Sequence, residues 1–244
     1  MKFLHISDLH FHRDGENNQD ANRLLKNIKE RYPDHAVIIT GDITDDGHRQ
    51  QYQNALDALG AFAGRVFIAP GNHDFGAAGH LYSRKKADLF DDMLAAPLGQ
   101  RGFFSGNNTP VINDIDGVRL IALDTNLETN HPFDFACGEI GFNQLFALDK
   151  ILDRADDRVK ILFFHHHPFI YNNPFMELRD AGKLARVLYN RVDVILFGHK
   201  HEMMDWENRW NIKYILASDN SPGKSKAGEI TVENGRIGMK YVEI

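Results

Sequence analysis

Five short segments carry side chains able to bind metal ions, and each follows directly on an apolar run. Asp8 and His10 follow KFLHIS, Asp42 stands in GDITDDG after AVIIT, and Asn72, His73 and Asp74 stand in GNHD after RVFIAP. His165, His166 and His167 precede Pro168 after KILFF, and His199 and His201 lie in GHKH after DVILF. Carboxylate, amide oxygen and imidazole together suit Mn, Fe or Zn, and Cys137 is the only cysteine, so no thiolate cluster competes. Singly, each segment has an ordinary explanation: Asp, Asn and Gly form turns, and some of 13 histidines must fall together. Five such coincidences in one chain point to a metal site.

The runs that must position these residues are short and rich in β-branched side chains, covering 2–7, 36–40, 65–70, 118–124, 160–164, 193–197 and 213–218. Continuous apolar runs of this length suit strands buried on both faces. Between several of them, 20–32, 50–63, 143–156 and 177–190 show the three-and-four spacing of helices. The alternation predicts a layered α/β architecture, closed by a hairpin that turns on Glu233-Asn234-Gly235. In such sheets functional groups gather beyond the carboxyl ends of the strands, where the five segments lie.

With 244 residues, 43% of them hydrophobic and 25% charged, the chain suits one folded domain, 1–244. A net charge of −6 lacks the basic excess that attracts nucleic-acid phosphates, so a long nucleic acid is a disfavoured partner. One cysteine excludes an intrachain disulfide, and no run approaches the ~20 apolar residues of a membrane span, which makes the cytoplasm the expected compartment.

The ordered set D-x-H, G-D-x-x-D, G-N-H-D, H-x-P and G-H-x-H, spread from Asp8 to His201, resembles the calcineurin-like metallophosphoesterase superfamily. Its SDLH start, GDITDDG and HHHP segments look most like small bacterial phosphodiesterases of the cyclic-nucleotide type. The resemblance implies a four-layer αββα sandwich and two divalent ions (Mn, Fe or Zn) bridged by Asp42. Asp8, His10 and His201 would complete one ion's ligands, and Asn72, His166 and His199 the other's. Such a pair attracts a phosphoester, supplies hydroxide near neutral pH and stabilises attacking and leaving oxygens. The implied activity is hydrolysis of a small nucleotide diester, cyclic forms included. A phosphomonoesterase or protein phosphatase, a nuclease and a non-catalytic scaffold of the same fold are the alternatives. Lys200 stands in GHKH where a threonine is common, which bears on substrate preference rather than metal binding.

Adjacent residues of an extended segment point to opposite sides, so the three histidines cannot all face one ion. The superfamily ligand stands two residues before the proline, which selects His166. His165 and His167 are then supporting, substrate-facing or simply packed residues. His199 and His201, at spacing two in an extended segment, would point to one side. His73 lies between Asn72 and Asp74, so a carboxylate could orient its ring as a proton donor to the leaving oxygen, a role the resemblance also implies. Asp45 is a supporting residue of the Asp42 loop. His5 reads as a core histidine, and His12, His35, His48, His80 and His131 as surface residues. Arg84, Lys85 and Lys86 read as a solvated helix face, while Tyr171, Asn172 and Phe175 could contact a base or sugar.

Overall fold

The computed structural model describes residues 1–77, 79–103, 110–126 and 136–244. The apolar runs form β1 (Lys2–Ile6), β2 (Ala36–Thr40), β3 (Val66–Ala69), with α1 (Gln19–Arg31) and α2 (Arg49–Leu59) between them. After a single turn, α3 (Asn72–Phe75), come a small hairpin of β4 (Gly76–Ala77) and β5 (His80–Tyr82), and then α4 (Arg84–Phe90). The second half contributes β6 (Val111–Ile115), β7 (Val118–Ala122), α5 (Phe142–Leu152), β8 (Val159–Phe163), α6 (Ala181–Leu188) and β9 (Val194–Phe197). It closes with β10 (Met204–Arg209), β11 (Ile212–Ala217), β12 (Lys226–Glu233) and β13 (Arg236–Glu243).

Two large sheets result, ordered β13-β12-β1-β2-β3 and β10-β11-β9-β8-β7-β6. The neighbours β1-β2-β3 are parallel, as are β7-β8-β9-β11, so the carboxyl ends within each set lie on a common edge. The period-two alternation of a strand divides the second sheet between two cores. Leu120, Ala122, Ile161, Phe163, Val194 and Leu196 face the first core, with the strands of the other sheet and residues of α1 and α2. Ile121, Leu162, Phe164, Ile195, Phe197 and Ile215 face the second, with Leu145 and Leu148 of α5 and Leu184 and Leu188 of α6. Each sheet is therefore covered by its own helices and packs on the other, the expected four-layer α/β sandwich.

The terminal hairpin turns on Asn234-Gly235, with φ of 50° and 73°, the left-handed pair that a two-residue hairpin requires. β6 and β10 are strands that the apolar-run reading did not contain: both are sheet edges, and their alternating or largely exposed residues leave no continuous apolar run. His35 departs from its surface reading, being buried with Nε2 3.2 Å from Glu229 Oε1. His131 lies outside the described residues. No helix among the described residues is long and apolar enough to cross a membrane.

Candidate metal centre

The loops after β1, β2, β3, β8 and β9 meet at one edge of the two sheets. Main-chain bonds from Asp8 N to Gly41 O (3.1 Å) and His10 N to Asp42 O (2.9 Å) join the first two loops. Across the sheets, His165 donates its Nδ1 proton to Thr40 O at 2.8 Å. Glycines permit this approach: a Cβ at Gly198 would lie 1.9 Å from Ser7 Oγ, and one at Gly71 would lie 2.2 Å from Asp42 Oδ1. The backbone is left-handed at Asp8, His10, Asp42, His199 and His201 (φ 60°, 46°, 49°, 79° and 52°). A non-glycine residue in that region carries local strain, which accumulates at functional sites.

One half of the site gathers Asp42, Asn72, His165 and His199. His165 Nε2 is 3.2 Å from Asp42 Oδ2 and 3.0 Å from Asn72 Oδ1, and His199 Nδ1 is 3.1 Å from the same Asn72 oxygen. Hydrogen bonds behind the site orient each group. Asn72 Nδ2 donates to Gly79 O at 2.9 Å, which turns the amide oxygen inward, and His199 Nε2 donates to Met176 O at 3.2 Å. With His165 Nδ1 donating to Thr40, the lone pairs of both rings face a carboxylate oxygen and an amide oxygen. With both rings neutral, four electron-pair donors thus converge. One proton could serve two at most, whereas a metal cation satisfies all four, so this half fits an ion.

The other half gathers Asp8, His10 and His201, whose ligand atoms lie within 4.8 Å of one another. His201 Nε2 is 3.7 Å from Asp8 Oδ1, and His10 Nε2 is buried without a hydrogen-bond partner, 4.0 Å from Asp42 Oδ2. Asp42 Oδ1 accepts from His73 N at 2.9 Å, so Oδ2 is the atom that faces both halves, the geometry of a bridging ligand. Electrostatics ask for added positive charge here. Burial pushes Asp8 up to about 6 and His10 and His199 down to about 4 and about 3. Burial also disfavours the His165 cation, yet the Asp42 carboxylate, and then Asp8, lift its pKa to about 9.

The histidine triplet departs from expectation by one residue. His165, not His166, meets Asp42, Asn72 and His199, because β8 ends at Phe163 and the triplet continues in bends rather than in an extended strand. Strict two-residue alternation therefore fails there. His166 is buried beside the site: Nδ1 is 2.7 Å from Thr125 Oγ1, Nε2 has no partner, and its ring lies 4.6 Å from that of His199. His167 turns the other way, its ring 4.8 Å from Phe197 and 5.4 Å from Trp206. In GHKH the backbone is folded rather than extended, with Lys200 N bonded to Gly198 O at 3.0 Å, and the two histidines reach different halves.

His73 sits at the rim, its ring edge-on to His10 at 4.7 Å. Asp74 does not orient it. That carboxylate is buried and accepts from Thr44 N, Thr44 Oγ1 and Gly71 N (2.8, 2.9 and 2.9 Å), tying the GNHD turn to the Asp42 loop. His73 is oriented instead by the carbonyl of Asp45, which accepts from Nδ1 at 2.7 Å. Nε2 is the ring nitrogen that this bond leaves uncommitted. Arg84 pairs with Asp88, Lys86 Nζ donates to Asp46 O, and Lys200 Nζ donates to Glu202 Oε1 at 2.8 Å. Tyr171 and Phe175 are exposed. The carbonyls of Thr40 and Met176 were invisible to motif reading, since any residue type can supply a carbonyl.

Comparison with known proteins adds an independent line. Over 215 residues the chain is 26% identical to the 3',5'-cyclic adenosine monophosphate phosphodiesterase CpdA of Escherichia coli K12, covering 85% of this chain and 69% of that protein. It is 30% identical over 218 residues to the glycerophosphodiester phosphodiesterase GpdQ of Enterobacter lignolyticus, covering 83% and 72%. A cAMP/cGMP dual specificity phosphodiesterase of Mycobacterium tuberculosis is 31% identical over 215 residues, covering 81% and 61%. Among solved structures, a dimetal phosphatase from Danio rerio superposes with a TM-score of 0.71 at 19% identity, covering 99% of this chain and 95% of that one, a likeness of fold. The family model for calcineurin-like phosphoesterases matches residues 1–203, and the chain belongs to that family.

Proposed function

We propose that the protein is a two-metal phosphodiesterase that hydrolyses small nucleotide diesters, the 3',5'-cyclic forms included. The observation that carries this reading is the convergence of Asp42 Oδ2, Asn72 Oδ1, His165 Nε2 and His199 Nδ1 next to Asp8, His10 and His201. Asp42, Asn72, His165 and His199 would hold one ion, and Asp8, His10, Asp42 and His201 the other. Two divalent cations there would supply Lewis acidity to the phosphoryl oxygens and a nucleophile near neutral pH. The chain's own part is positioning and proton transfer. Asp42 sets the spacing of the two halves, and hydrogen bonds to the Thr40, Gly79 and Met176 carbonyls hold His165, Asn72 and His199 in register. His73 keeps its Nδ1 proton on Asp45 O, so it protonates the departing alkoxide from Nε2 in its imidazolium form and returns to the neutral Nδ1–H ring. Diesters of nucleotide type are favoured because several of the relatives bear that activity in their names.

A substrate panel on protein of measured metal content tests the reading. Cyclic AMP, cyclic GMP, a glycerophosphodiester, a phosphomonoester and a phosphoserine peptide are compared by kcat/KM. Preference for a cyclic nucleotide supports the proposal. Preference for the glycerophosphodiester keeps the diesterase and replaces its substrate, whereas preference for a monoester overturns it.

A further inference from the structure

We infer that Asp219 is the positioning residue of His201, fixing the ring so that Nε2 faces Asp8 and thereby setting the affinity of that half of the site for its ion. The inference rests on the two-ion reading above and adds a residue that lies outside the five motifs. β11 runs parallel beside β9, so its carboxyl end opens on the edge where His199 and His201 stand. The segment beyond it is tied to the loop before Asp8 by a pair of hydrogen bonds, Asn220 N to Ser7 O at 2.8 Å and Ser7 N to Asn220 Oδ1 at 3.1 Å. Asp219 directly precedes this anchor and is 2% exposed.

His201 lies between two carboxylates, with Nε2 3.7 Å from Asp8 Oδ1 and Nδ1 3.9 Å from Asp219 Oδ1. Its need for an orienting group is greater than that of its counterparts. The rings of His165 and His199 are buried and pinned by carbonyls, whereas the His201 side chain is 44% exposed and makes no hydrogen bond among the described residues. Asp219 is itself immobilised, accepting from Ser221 N (3.0 Å), Ser221 Oγ (2.6 Å) and Lys224 Nζ (2.7 Å). Asp219 Oδ1 already accepts both Ser221 bonds and stands beyond hydrogen-bond range of Nδ1, so it acts through its charge: a fixed carboxylate on that side favours the tautomer with the proton on Nδ1 and leaves the Nε2 lone pair for an ion.

The test titrates Mn²⁺ into metal-free protein and follows free Mn²⁺ by electron paramagnetic resonance. Wild type should bind two equivalents, while Asp219→Asn should bind one as wild type does and the other ~10- to 100-fold more weakly, the usual effect of removing such a partner. Asp219→Glu, which keeps the charge, should restore most of the lost affinity. Ser225→Ala removes a hydrogen bond of the same segment, to Glu243, without touching Asp219, so it should bind both equivalents normally. Equal weakening in Ser225→Ala would make the segment, not the carboxylate, responsible and overturn the assignment, as would two unweakened equivalents in Asp219→Asn. A wild type that takes up fewer than two equivalents overturns the two-ion reading and this inference with it. If Asp219→Asn does not fold, ¹⁵N spectra of the zinc-loaded wild type decide: His201 must show a protonated Nδ1, and a protonated Nε2 overturns the assignment.

Discussion

His165 and His166 are neighbours of one chemical type, and the different hydrogen bonds they make predict opposite consequences of losing them. His165→Ala removes the nitrogen that meets Asp42 and Asn72, and should cost bound metal and turnover together. His166→Ala removes a buried ring held by Thr125, and should lower stability by about 1–3 kcal/mol while two metals remain. Metal analysis and denaturant unfolding of the two variants check this, and metal loss in His166→Ala alone would restore the assignment made from the proline. His73 has a different signature, because an alkoxide leaving group needs a proton and p-nitrophenolate does not. His73→Ala should slow a nucleotide diester ~10²- to 10⁴-fold and an activated nitrophenyl ester much less, with metal content unchanged. Equal losses on both esters would point instead to stabilisation of the phosphoryl oxygens. Residue identity singled out Asp8, His10, Asp42, Asn72, His199 and His201, which the fold gathers, since few side-chain types can serve as ligands. It could not rank three identical histidines, a choice made by where β8 stops hydrogen bonding, nor reveal the carbonyls that set their tautomers.

At the level of elements, the strands that carry the site were legible because each is buried on both faces and so reads as a continuous apolar run. The edge strands β6 and β10 were not, since their residues alternate or face solvent, whereas the edge strand β3 is buried throughout and reads as an apolar run. The β10–β11 turn was equally hidden: Trp210 and Asn211 both take positive φ (55° and 56°), and Trp carries no turn signal. Asp116-Gly117, which joins β6 to β7 with φ of 47° and 78°, is an ordinary two-residue hairpin signal that could have revealed β6. What positions the site is the approach of these elements, and glycines set that approach. Gly198 joins β9 to the His199 loop where its Cα abuts Ser7 and Asp8, so Gly198→Ala forces a methyl group to within 1.9 Å of Ser7 Oγ and 2.6 Å of Asp8 Oδ2. The side chains of Ser7 and Asp8 must give way to admit it. Overpacking of this kind costs about 1–3 kcal/mol, and the displaced Asp8 should weaken metal uptake in the same variant. Thermal unfolding of the metal-free protein and metal titration check the two effects, and unchanged metal affinity would show that the strand ends are free to adjust.

For the molecule as a whole, the sandwich encloses ionisable groups whose neutral forms it requires, and acid should therefore act on its global stability. His5 is the clearest case, lying in β1 between β12 and β2, fully buried, with Nε2 3.0 Å from Thr40 Oγ1 and Nδ1 without a partner. Burial lowers its pKa from 6.5 to about 3. The unfolded chain binds a proton below pH 6.5 that the folded chain refuses until about pH 3, so stability is full above 6.5 and falls as pH drops through that window. The slope from this one group is at most ~1.4 kcal/mol per pH unit. His5→Leu removes the titrating group and keeps an apolar side chain in the core, so its unfolding free energy should fall less steeply than wild type between pH 6 and pH 4. Denaturant unfolding of both metal-free proteins across that range isolates the term, because every other titrating group is shared and cancels in the difference. Parallel curves would mean that the sandwich admits water or a proton to His5, and that its interior is less closed than the packing of β1 implies.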